Sequence, residues 1–69
     1  MPTSYYAISS GTNKWIKTID KVNNTYAETS FVNQVLEYTS TTAAQADCDW
    51  LANLTGIDKF HVLGSPKPH

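Results

Sequence analysis

The sequence predicts an α+β domain, a small antiparallel sheet of three to five strands with one amphipathic helix on one face. Three observations carry this. Short runs rich in aromatic and β-branched residues occur at both ends of the chain, as in Tyr5-Tyr6-Ala7-Ile8 and Phe60-His61-Val62. Between them lies a stretch whose apolar residues recur with a helical period, Ala44, Cys48 and Leu51. That stretch is bounded by a Ser/Thr-rich start and by Gly56.

The first strand is Ser4 to Ser9, followed by the turn-forming run Ser10-Gly11-Thr12-Asn13 and a second strand, Lys14 to Ile19. Together they form a hairpin whose register the turn does not fix. A three-residue loop sets Ile8 opposite Ile16; a loop of another length brings Trp15 opposite Ile8 and exchanges the faces of the second strand. Ile8 with Ile16 toward the helix is the favoured arrangement, because two aliphatics fill a small core without an indole N–H to satisfy. Trp15 then faces outward with Tyr5, and Ile19 can join them.

Asp20 to Asn24 is a polar connection, and Thr25 to Thr29 a third strand. Phe31, Val32, Val35 and Leu36 follow a helical spacing, whereas Leu36 and Tyr38 alternate. The expectation is a helical turn capped by Ser30, then a short strand at Leu36-Glu37-Tyr38. The main helix runs from a cap at Ser40, or from a Thr42/Gln45 capping box, to Gly56. Asp47 falls at the edge of its apolar stripe, where it must reach water or accept a hydrogen bond. A last strand, Lys59 to Leu63, points Phe60 and Val62 inward and His61 with Lys59 outward. Residues 1–63 thus make one domain, and Gly64-Ser65-Pro66-Lys67-Pro68-His69 reads as a disordered tail. The expected core is Tyr6, Ile8, Ile16, Leu36, Ala44, Cys48, Leu51, Phe60 and Val62.

With 69 residues there is room for a single core and modest stability. One cysteine permits no internal disulfide, and one thiol with two histidines lacks the spacing of a zinc site, so oligomerisation is the reinforcement left available. Five lysines against six carboxylates, with no arginine, argue against duplex binding. No apolar run approaches the roughly 20 residues of a membrane span, and no basic-then-apolar leader opens the chain. A cytoplasmic setting follows, in which the N-x-T triplets at Asn23 and Asn53 are incidental.

The order of elements resembles that of a loose type of very small phage and prophage proteins. The matching pieces are Tyr6-Ala7-Ile8, Gly11 to Ile16, Leu36-Glu37-Tyr38-Thr39-Ser40 with Ala43-Ala44, and Phe60-His61-Val62. The chain departs at Ala43, where an acidic residue often follows such a cap. The resemblance implies origin and size class, and some such proteins bind and inhibit host proteins; it carries over no catalytic residue. No cofactor is expected.

Single residues invite chemical readings that simpler roles explain. Cys48 with His61 as base and Asp47 or Asp49 as orienting group is a formal nucleophile constellation, but a thiol on the apolar face behaves as a small hydrophobe. Asp47 and Asp49 point to different sides of a helix and do not readily share a metal. Lys14, Lys17 and Lys21 with Trp15, Tyr5 and Tyr26 could stack single-stranded nucleic acid, although lysines at sheet edges also guard against aggregation. The favoured expectation is a non-enzymatic module that binds a host or phage protein, or a second copy of itself. Its contact surface is the aromatic sheet face away from the helix, with Tyr5, Trp15 and Tyr26 as anchors and Lys17 or Lys59 at the rim; Trp50 and His61 are further contact residues. The alternatives are a virion or assembly component and a single-stranded nucleic-acid binder.

Overall fold

The computed structural model describes residues 4–68. The elements are β1 (Tyr6–Gly11), β2 (Lys14–Asp20), β3 (Thr25–Thr29), a 3₁₀ turn (Val32–Gln34), α1 (Thr41–Thr55) and β4 (His61–Gly64). All strands are antiparallel in the order β3-β2-β1-β4, and α1 packs on one face, giving the expected α+β architecture. β4 begins two residues later than expected, at His61, and runs one residue beyond Leu63.

The hairpin resolves the choice between Ile16 and Trp15. A two-residue turn, Thr12-Asn13, separates Gly11 from Lys14, and an irregularity at Ser10 restores Ser9 opposite Trp15. Gly11 and Asn13 take positive φ, 151° and 58°, which glycine and asparagine tolerate. Ile8 and Ile16 are completely buried in the core with Cys48, Leu51 and Phe60, while Trp15 stands outside that cluster. In the next turn the Asp20 carboxylate accepts the Val22 and Asn23 amides, and Asn24 supplies the left-handed residue.

Two expectations need correction. A bulge at Lys17 shifts β2 between Ile16, opposite Glu28, and Thr18, opposite Ala27. The extra residue reverses the alternation, so Ile19 turns inward opposite Tyr26, and both pack against the core instead of joining Trp15. Ser30 does not cap the turn that follows: Phe31 holds the cap position with no side-chain bond, and Thr29 Oγ1 accepts the Phe31 amide instead.

The Leu36-Glu37-Tyr38 segment pairs only through the bridge between Tyr6 and Tyr38, which exchange two hydrogen bonds of 2.8 Å. Leu36 also donates to the Ile16 carbonyl, so the segment reaches both strands of the first hairpin. Helix α1 begins at Ser40, whose Oγ accepts the Ala43 amide, and ends at left-handed Gly56, whose amide bonds Ala52. Ala44, Cys48 and Leu51 form its buried face. Beyond β4, the Ser65 amide donates to the Tyr5 carbonyl and Lys67 pairs with Glu37. His69, the end of the expected tail, lies outside the described residues.

Candidate interaction surface

Antiparallel partners project to the same face, so register places side chains without further assumption. Across the sheet, His61 lies opposite Ser9, Ser9 opposite Trp15, and Trp15 opposite Thr29. This row belongs to the face away from α1, since Ile8, Ile16 and Phe60 occupy the other. Ala7 and Leu63 form the adjoining pair on that face. Phe31 lies two residues beyond Thr29, to whose hydroxyl its amide donates, and is 64% exposed; Val32 and Leu63 are exposed as well. Neither Phe31 nor Leu63 stood out in the sequence, because their exposure depends on where the chain leaves β3 and on the pairing of β4.

The expected contact residues divide into three groups. Trp15 and His61 share the outer row, with exposed Lys17 at the bulge beside Trp15; Tyr5, just before β1, is partly exposed. Tyr26 and Lys59 belong to the helix side, which corrects the expectations that Tyr26 anchors the outer patch and that Lys59 points outward with His61; Lys59 lies before β4 and escapes its alternation. Tyr26 meets Phe60 edge-on, with centroids 6.0 Å apart, and Lys59 reaches Glu28 at 3.7 Å and overlies the Phe60 ring. Glu28 also accepts the Ser10 hydroxyl. Trp50 forms the third group, partly buried against the core with the Lys21 ammonium 6.0 Å from its ring centre.

Beside Trp50 lies a polar cluster on the helix side. Tyr38 donates its hydroxyl to Asp47 at 2.6 Å, and Lys21 pairs with the other carboxylate oxygen at 2.6 Å. The acceptor role required of Asp47 at its stripe edge is thereby met. Burial disfavours the Asp47 charge, but the bonds from Lys21 and Tyr38 outweigh it and hold the carboxyl below its ordinary range. Burial, reinforced by the bond to Asp47 and its charge, pushes the Tyr38 phenol well above its ordinary value. The cluster joins the β2–β3 turn, the Tyr38 segment and the helix.

The formal nucleophile constellation is not assembled. Cys48 is buried and donates to the Phe60 carbonyl at 3.1 Å; burial, then the charges of Asp49 and Asp58, raise its pKa. His61 faces the opposite side of the sheet, and Asp49 accepts from Gln45. Among the described residues no group of His, Cys, Asp or Glu is placed to hold a metal ion. A shallow depression lined by Thr41, Thr42, Gln45, Ala46, Asp49 and Val62 lies between α1 and β4, away from the Trp15 row. No described helix is long and apolar enough to cross a membrane. Comparisons with family models, curated proteins and solved structures give no match to this chain.

Proposed function

We propose that this chain is a small non-enzymatic protein-binding module that presents the sheet face opposite α1 to another protein. The observation that carries the proposal is Trp15. It lies partly exposed at the centre of a row from His61 to Thr29, outside the core cluster, with Phe31 and Leu63 exposed nearby. A large indole on a sheet face without a helix over it suits the buried centre of an interface, where tryptophan is enriched among energetically dominant residues. The resemblance to small phage and prophage proteins supports a host protein as the partner and occlusion of that partner as the mechanism.

The test compares wild type with Trp15→Ala in capture of protein partners from the cell that makes the chain, alongside urea unfolding. The expected result is loss of a captured protein with a stability change well below the about 3–5 kcal/mol that truncating a core aromatic costs. A core-sized loss of stability would make Trp15 a structural residue. Unchanged capture would remove it from any interface.

A further inference from the structure

We infer that this chain pairs with a second copy of itself along the open edge of β3, antiparallel about a two-fold axis at Ala27, so that the two sheets join into one of eight strands. The inference is independent of what the Trp15 face binds.

The two edges of the sheet are protected unequally. β4 is four residues long and is followed by Pro66 and Pro68, and shortness and proline both discourage a further strand. β3, at the other edge, has neither device and no lysine. Each of its five residues has a partner on β2, and the extra residue of the bulge, Lys17, sits on β2, so β3 itself stays regular. Among the described residues no strand pairs with its far side. Its one charge, Glu28, is turned back onto its own domain, where it accepts the Ser10 hydroxyl and faces Lys59 at 3.7 Å.

Self-complementarity selects both the occupant and the register. With Ala27 on the axis, Thr25 lies opposite the partner's Thr29, Tyr26 opposite the partner's Glu28, and Ala27 opposite its own copy, so the whole strand pairs. Threonine pairs and a phenol beside a carboxylate suit facing positions on antiparallel strands, whereas an axis at Glu28 would set two carboxylates against each other. The same two-fold brings the turn that carries Val22, 91% exposed, alongside the partner's exit from β3, where Phe31 and Val32 are 64% and 42% exposed. These apolar groups stand at opposite ends of one strand, so they come together at each end only when the added strand is an inverted copy. Backbone bonds along the edge would supply affinity and the two apolar ends would fix the partner. Facing residues share a side of the sheet, so both helices would stand on one face and both Trp15 rows on the other.

Sedimentation equilibrium on the full chain tests this. Wild type should pass from the mass of one chain to that of two as concentration rises. Ala27 is exposed, so Ala27→Lys and Ala27→Glu should each fold, and each should raise the dissociation constant by about fivefold at low salt by opposing like charges across the axis. An equimolar mixture of the two should recover the dimer, because lysine then faces glutamate. Ala27→Cys, a smaller change, should oxidise to a disulfide-linked dimer, since directly opposed residues lie within disulfide reach, whereas Thr12→Cys at the far hairpin turn should not. A chain that stays single up to about 1 mM would overturn the inference. A dimer that both charge variants leave intact, or that Trp15→Ala alone abolishes, would also overturn it, and so would failure of both the mixture and the Ala27→Cys cross-link.

Discussion

Removing the Tyr38 hydroxyl should reveal how strongly the helix is pinned to the sheet fork. The bond to Asp47 is short, 2.6 Å, and its acceptor is ionised and also held by Lys21. Hydrogen bonds to charged groups contribute about 1.5–3 kcal/mol, and the partial exposure of this one argues for the lower end. Tyr38→Phe should therefore cost about 1.5 kcal/mol. Asp47→Ala should cost about 2 kcal/mol, because it leaves a half-buried hydroxyl and an ammonium without their acceptor. Since both substitutions remove the same bond, the double variant should lose only about 2–2.5 kcal/mol, a coupling of about 1–1.5 kcal/mol. In a domain of this size, a loss of about 1.5 kcal/mol lowers Tm by about 6–12 °C.

The assay is urea unfolding followed by far-ultraviolet circular dichroism, which does not depend on Trp50 reporting its own surroundings. Additive single effects, agreeing within about 0.3–0.5 kcal/mol, would mean that the two groups do not act through one bond. A neutral Tyr38→Phe would refute the reasoning more directly.

Other consequences are as specific. The Asp47 carboxyl has a lower pKa folded than unfolded, so between the two values the unfolded chain binds the extra proton and stability rises with pH. The advantage of wild type over Asp47→Ala should be complete above the unfolded value of about 3.9 and shrink as pH falls through the folded one; an advantage that grew on acidification would contradict the pairing. Leu51→Ala, at a fully buried position, should cost about 2–5 kcal/mol and leave the chain largely unfolded by circular dichroism at physiological temperature. Cys48 should react with iodoacetamide far more slowly than in denaturant, because it is buried and its pKa is raised; equal rates would refute its place in the core.

Much of this fold was legible from side-chain chemistry. The preference for aliphatics over an indole in a small core chose the right face for Ile8 and Ile16, and Ser40 and Gly56 marked the helix ends because caps satisfy local backbone groups. The bulge at Lys17 was not legible. Nothing in Ile16-Lys17-Thr18 signals an extra residue, yet it decides that Ile19 and Tyr26 meet on the helix side. Tyr26 was misplaced for a separate reason: it was assigned to the outer surface by composition, whereas the pairing of Thr29 with Trp15 and of Glu28 with Ile16 already sets it on the helix side. Similarly, the alternation at Leu36 and Tyr38 indicated extended chain but could not reveal that its partners were Ile16 and Tyr6. Long-range pairing of this kind depends on tertiary context, which local periodicity does not encode.

The pairing of Tyr6 with Gly64 also brings the two flanks of the domain side by side, an arrangement tightened by the bond from Ser65 to Tyr5. A short turn joining those flanks would make β4 and β1 a local hairpin, and a new break at Thr12-Asn13 would leave every strand intact. The same neighbourhood suits insertion of the whole unit into a surface loop of another protein, because entry and exit need almost no separation. Circular permutation and domain insertion are thus built into the strand order.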